Sequence, residues 1–368
     1  MDDVVAGPVG TADPAGRVAQ AARTARDSGE DEDGHAYWAV VEAAAAQDAP
    51  AALRCGLELL ASQGDLERAA GCDLLGRAAE GHEDLRAPAA DALLALAAGT
   101  LAAGAQAPTG VLTSLVCALG RTGDVRAVPV LAGLAGHEDA DLRHAVASFL
   151  PHVATGRPDG QDVRALIGLT RDRDPWIRDW AAFALGTQLD HDTPAVREAL
   201  WACATDAHEE VRREGVRGLA RRHDARAVPL VAQLLAGGDE EGLDLALDAA
   251  EVLGSPALLP ALGALTPRSP EADRALAACD PDRRARTEDD AWAVVVELER
   301  LRPGIGAALA WPRCESVHGL RLTCLHTPED TAYDAAALLA RAGGDPARAA
   351  ALVLADLDTE TVSDRQPV

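Results

Sequence analysis

Lysine and asparagine are absent from this chain of 368 residues, and all 34 of its basic side chains are arginine. That bias fits a GC-rich coding composition and carries no mechanism by itself. Acidic side chains number 59, for a net charge of −25. Such a chain repels phosphate backbones, whereas nucleic-acid binders normally show a basic footprint. The same repulsion argues against docking on an anionic membrane surface. Aromatics make up only 3% against 48% hydrophobic residues, so alanine and leucine must fill the core, which suits close helix–helix packing better than a sheet. Long apolar runs are missing as well: the nearest, Ala87–Ala107, is interrupted by Asp91, Gly99, Thr100 and Gly104. The N-terminus has neither a basic start nor an apolar segment, so no secretory leader is read there. The seven cysteines are an odd number and mostly lie in apolar phrases such as SLVCALG, which indicates buried thiols rather than a disulfide framework. A cytoplasmic location is expected. No glycine-rich phosphate loop, nucleophile elbow or Cys/His protease phrase occurs.

What is present is a repeat. The segments DADLRHAVASFL (Asp139–Leu150), DPWIRDWAAFAL (Asp174–Leu185) and HEEVRREGVRGL (His208–Leu219) align on Arg143, Arg178 and Arg212, which are 35 and 34 residues apart. A second phrase, RAVPVLAGL at Arg126 and RAVPLVAQL at Arg226, recurs after 100 residues, or three repeats. A fixed period of this size marks units that cannot bury their own apolar face and must stack on neighbours. Each unit reads as two amphipathic helices, with stripes such as Leu142, Ala145, Val146 and Phe149, and Val128, Leu131, Ala132 and Ala135. Thr193-Pro194, Asp174-Pro175, Ser269-Pro270, Thr327-Pro328 and Asp345-Pro346 each set a capping oxygen before a proline in the first helical turn. Pro129 and Pro229 mean either late helix starts or kinks.

The phrases DRDPWIRDWAAFALG and RAVPLVAQLL resemble the HEAT-repeat family, in particular its short subtype named after phycobilisome lyases, over roughly Tyr37–Leu265. The resemblance implies an all-α, right-handed solenoid of helix pairs whose second helices line a concave surface. Four regions are expected: a disordered acidic segment at 1–34 with one weak helix near Gly16–Asp27, the solenoid at 35–268, a helical extension at 269–357, and a polar tail at 358–368. Helices in the extension are read at Arg274–Ala278, Asp289–Leu301 and Pro328–Ala342.

Several constellations could carry chemistry. The Asp172–Arg178 and Asp206–Arg212 spacing reads as a ladder tying turns to successive repeats, or as a row of ligand-binding arginines; the ladder is favoured because arginine pairs readily with carboxylate. Trp176 and Trp180 frame Arg178, and Arg212, Arg213 and Arg217 lie in a local basic segment. These six residues are the expected contacts with a protein or peptide partner on a non-enzymatic scaffold. The rival reading is a HEAT-type lyase or metal-dependent oxidoreductase. The resemblance to deoxyhypusine hydroxylases suggests iron at His-Glu pairs, here His137-Glu138 and His208-Glu209. These precede the second helix, whereas the enzyme's pairs lie inside it. Cys314, His318, Cys324 and His326 form C-x3-H-x5-C-x-H, which departs from the usual zinc spacings. No cofactor is expected, and oligomeric state is not legible.

Overall fold

The computed structural model describes residues 14–28, 35–102, 108–237, 239–267, 269–311, 319–325 and 331–363. The chain divides into two compact units, Met1–Val196 and Arg197–Val368. Unit one holds ten complete helices among its described residues: α1 (Pro14–Ser28), α2 (His35–Gln47), α3 (Ala49–Leu60), α4 (Asp65–Ala79), α5 (Glu83–Ala102), α6 (Thr109–Thr122), α7 (Val128–Leu134), α8 (Ala140–Phe149), α9 (Gln161–Leu169) and α10 (Pro175–Phe183). They form two layers. In one, α4 touches α6, α6 touches α8 and α8 touches α10; in the other, α3 touches α5 and α7 touches α9. The second helix of each pair thus stacks on the second helix of the next.

The starts of these elements follow their chemistry. The Asp48, Asp139 and Asp174 side chains accept from the amides of Ala51, Leu142 and Trp176, and so cap α3, α8 and α10. Pro129 falls in the first turn of α7, after a single 3-10 turn at Val125–Ala127, so that helix starts late and is not kinked. Helix α5 is long and apolar enough to cross a membrane by length and composition alone. Yet it packs on α3, α4 and α6, with Leu85, Ala89, Ala90, Leu93 and Ala97 buried. Within the expected acidic lead, the helix read at Gly16–Asp27 is α1, running Pro14–Ser28. Helix α1 packs on α2, α3 and α4, with Val18 fully buried in a cluster with Val41, Leu59 and Leu74.

Helix α11 (Pro194–Ala204) spans the division. Unit two continues with α12 (Glu209–Arg221), α13 (Ala227–Gly237), α14 (Glu240–Leu253), α15 (Leu259–Ala264), α16 (Pro270–Cys279) and α17 (Pro281–Leu301). Here α12 touches α14 and α14 touches α16, which is the same second-helix stacking. The recurring RAVP phrase proves to be a clamp between repeats. Arg226 binds Asp224, with Nε to Oδ1 at 3.0 Å and Nη2 to Oδ2 at 2.8 Å, and reaches Glu198 at 2.6 Å. Arg126 does the same with Asp124 and Asp91. The Arg226 hydrogen bond is the chief reason that the buried Asp224 carboxyl falls to about 2.

The C-terminal extension differs from the expected run of helices. It contains a three-stranded antiparallel sheet in the order β1 (Ala307–Ala310), β2 (Arg321–Cys324), β3 (Thr331–Asp334), with Leu322 opposite Leu309 and Tyr333. Pro328–Ala342 is therefore not one helix: its described part is β3 followed by α18 (Ala335–Arg341). Helix α19 (Pro346–Ser363) runs on through most of the expected polar tail. Val294, Leu298, Leu322, Leu338 and Val353 form the core of this extension. It docks on the repeats of its own unit where the Gly319 amide donates to Glu251 of α14 at 2.8 Å.

Candidate interaction site on the second-helix layer

The three aligned arginines share one geometry. In each, Nη1 donates to the carbonyls six and five residues earlier: Arg143 to His137 and Glu138, both at 2.9 Å; Arg178 to Asp172 and Arg173 at 2.9 and 3.4 Å; Arg212 to Asp206 and Ala207 at 3.0 and 2.7 Å. Each arginine therefore holds the turn that leads into its own helix. Arg143 also makes a bidentate pair with Asp172 of the next repeat, at 2.7 and 3.0 Å. Burial works to raise the Asp172 carboxyl, but the Arg143 hydrogen bonds, the Asp174 amide and the arginine charges outweigh it, so the group sits below its ordinary value. Arg178 and Arg212, read from sequence as partner contacts, are thus tied into turns.

The basic segment of α12 is internally neutralised. Arg213 pairs with Glu209 at 2.9 Å, Asp239 at 2.7 Å and also Glu241, and Arg217 pairs with Glu214. Arg212 and Arg213 do line a cleft of about 410 Å³ in unit two, together with Val216, Leu230 and Leu234.

The tryptophans behave differently. Asp174 starts α10 so that Trp176 emerges in its first turn and is 57% exposed. His144 of α8 stacks against Trp176, centroids 6.1 Å apart at 23°, and meets Trp180 edge-on at 5.5 Å. Trp180 in turn meets Phe183 at 6.0 Å. Further along the same layer, Arg77 and Arg121 lie 5.7 Å from the Trp38 ring, and Arg121 lies 5.1 Å from that of Phe149. The chain has six Trp, two Tyr and two Phe. Tyr37, Trp38, Phe149, Trp176, Trp180 and Phe183, six of those ten, sit on α2, α8 and α10. The Trp180 Nε1 and His144 Nε2 atoms are buried without a hydrogen-bond partner among the described residues. Burial lowers the His144 pKa, against the opposing charges of Asp141 and Asp174, so this imidazole is neutral at pH 7.

Sequence reading found Trp176 and Trp180 but missed His144, Phe183 and the Trp38–Arg121–Phe149 stack. The available signal was the scarcity of aromatics: in a chain this poor in them, several on consecutive second helices mark a face.

The metal candidates stay in turns. His137 Nδ1 accepts from the Asp139 amide at 3.1 Å, its carbonyl serves Arg143, and the Glu138 carbonyl serves Arg143 and Arg173. His208 occupies the N-cap position of α12, and Glu209 is held by Arg213. Cys324 is fully buried in the extension core, and burial raises its thiol pKa. Cys314, His318 and His326 lie outside the described residues. Among the described residues, no three His, Cys, Asp or Glu side chains gather as a ligand set.

This architecture of helix pairs with stacked second helices is a HEAT-like helical-repeat fold. Among individual proteins, the chain is 33% identical over 104 residues to Protein YibA of Escherichia coli strain K12 and of Escherichia coli O157:H7; that match covers 28% of this chain and 36% of YibA. It thus spans little more than a third of those relatives' length. The X-ray structure of Escherichia coli YibA superposes with a TM-score of 0.55 at 19% identity, covering 74% of this chain and 95% of YibA. The complex of CpcE and CpcF of phycocyanin lyase from Nostoc sp. PCC7120 gives 0.38 at 18% identity, covering 64% of this chain and 92% of that one. Human deoxyhypusine hydroxylase in complex with glycerol gives 0.28 at 18%, covering 76% and 100%. No family model matches the chain.

Proposed function

We propose that this protein is a non-enzymatic scaffold that binds a protein or peptide partner on its second-helix layer, with Trp176 and Trp180 as anchors. The observation that carries the reading is the 57% exposure of Trp176 beside His144 and Trp180, in a chain that otherwise places its aromatics sparingly. Large amphipathic rings dominate the energy of protein interfaces. Arg178 supports this face by fixing the turn into α10; in unit two, Arg212 fixes the turn into α12, and Arg213 and Arg217 act within ion pairs. A metal-dependent oxidoreductase would need a gathered ligand set, and among the described residues no three His, Cys, Asp or Glu side chains come together as one. We place the protein in the cytoplasm, which suits the six described cysteines, all free thiols.

The test is selection of 12-residue peptides on immobilised full-length protein, followed by titration of the winners against wild type and Trp176→Ala. A lost anchor of about 2 kcal/mol weakens binding roughly 30-fold. Peptides that bind both proteins equally would remove this face from the proposal.

A further inference from the structure

The open ring of Trp176 has a chemistry of its own. Three other tryptophans in this protein are covered by the chain's own arginines. Arg77 and Arg121 lie over Trp38, Arg226 lies 5.3 Å from the Trp201 ring, and Arg284 lies 4.6 Å from that of Trp311. Among the described residues, no guanidinium covers Trp176, although it is more exposed than any of those three. A tryptophan face attracts cations through its ring quadrupole, more strongly than tyrosine or phenylalanine.

The surroundings have the matching sign. Asp141 is exposed one turn before His144 on α8, and among the described residues no arginine pairs with it. Asp174 stands at the start of α10, where one carboxylate oxygen accepts from the Trp176 amide at 2.9 Å. The nearest arginine on α8, Arg143, is 6% exposed and spends its charge on Asp172. His144, which supports one face of Trp176, is neutral and repels nothing. Asp141 and Asp174 are thus the carboxylates whose charges act on His144, the ring stacked on Trp176, and the chain as a whole has a net charge of −25.

We infer that the Trp176 site receives a cationic side chain, arginine or lysine, projecting from a basic segment of a protein partner. The cation lies on the free face of the indole, and Asp141 and Asp174 offset its charge. Nucleic acid does not fit, because its phosphates would meet both carboxylates. This inference rests on the partner-binding reading above and adds the chemistry of what binds.

The experiment uses an array of random 12-residue peptides probed with the full-length protein, its Trp176→Ala and Trp176→Phe variants, and Asp141→Asn. Far-UV circular dichroism and urea midpoints first show that each variant is folded, as expected for a ring that is mostly exposed. Peptides that depend on Trp176 are expected to share one arginine or lysine position. Replacing that residue with citrulline or glutamine should weaken them about 5- to 30-fold. Asp141→Asn should weaken the same peptides about 3-fold and reduce their sensitivity to salt. Trp176→Phe should retain part of the affinity that Trp176→Ala loses.

Trp176-dependent peptides that are neutral or acidic at every shared position, or that tolerate citrulline, would overturn the cationic site and leave the partner-binding reading standing. The absence of any Trp176-dependent peptide would overturn both.

Discussion

Replacing Arg143 with methionine tests whether the turn-holding arginines carry the repeat array. Its side chain is 6% exposed and its partner Asp172 is 9% exposed, so the pair is desolvated and closely matched in geometry. The substitution removes two hydrogen bonds to the Asp172 carboxylate and leaves the His137 and Glu138 carbonyls without this donor. Breaking a buried pair on one side costs about 3–5 kcal/mol, because the surviving charge stays buried. The carbonyl bonds add about 1 kcal/mol on the same scale, though neighbouring terms do not add fully. A loss of about 5 kcal/mol is expected for unit one, read by urea unfolding through the fluorescence of Trp176 and Trp180. Breaking the exposed Arg302–Asp358 pair with Arg302→Met should cost under about 1 kcal/mol. The double variant Arg143→Met with Asp172→Asn should cost less than the sum of the single variants by about 1–3 kcal/mol. The pH dependence has a definite sign. The Asp172 carboxyl lies below its ordinary value in the folded state, so its contribution is present above about pH 4 and disappears as pH falls through the folded value. A loss below about 1.5 kcal/mol for Arg143→Met, or full additivity in the double variant, would refute a clamp that couples repeats.

Other expectations follow from single observations. Asp73 is 5% exposed, and burial lifts its carboxyl to about 6 against the hydrogen bonds of Tyr37 and Ser114 and the charges of Arg121 and Arg77. Its contribution is therefore present below about pH 4 and lost as pH rises through 6. On that basis Asp73→Asn should flatten the melting temperature between pH 7 and pH 4.5, removing a component of roughly 2 kcal/mol, and an unchanged profile would contradict it. A methyl group on Gly215 of α12 would lie 2.2 Å from the Ala204 nitrogen and 2.7 Å from its Cα, where backbone cannot yield. Gly215→Ala should cost at least about 2 kcal/mol in chemical unfolding of unit two. Gly133 faces open space, so Gly133→Ala should instead be neutral or stabilising by about 0.5–1 kcal/mol.

The fold was legible where the same physical problem recurs. A turn between stacked helices leaves carbonyls that need donors, and each repeat solves this with an arginine at the same position, so Arg143, Arg178 and Arg212 read out the period directly. Capping signals were equally local: Asp174 and Ser269 sit one residue before a proline, and both cap their helices. Outside the repeat these cues fail. The strands of the extension are four residues each, alanine-rich at β1, and gain their pairing from partners 11 to 17 positions away along β1–β2, which no local periodicity reports. Helix α1 was legible only as a weak helix at Gly16–Asp27. Its own sequence is polar, and the packing of Ala15, Val18 and Ala19 against α2–α4 that holds it is not a local signal.

The proposed binding face was half legible because its members do different work in one repeat position. Aligned on the arginine, Trp180 corresponds to Ala145 and Trp176 to Asp141, so the period predicts nothing aromatic there. What the alignment does show is that the Trp176 position lies off the apolar stripe: Ile177 and Ala181 face the core with 1% and 0% exposure, as Leu142 and Val146 do, while Trp176 and its equivalent Asp141 are exposed. The turn and the core use the arginine and the apolar stripe, which leaves the remaining helix face free to diverge without unfolding the array. In an alanine- and leucine-filled solenoid, that free face is where large side chains can be placed without overpacking. The clustering of tryptophan and phenylalanine on α8 and α10 is therefore a stronger pointer to function than the arginines, whose regularity marks them as architecture.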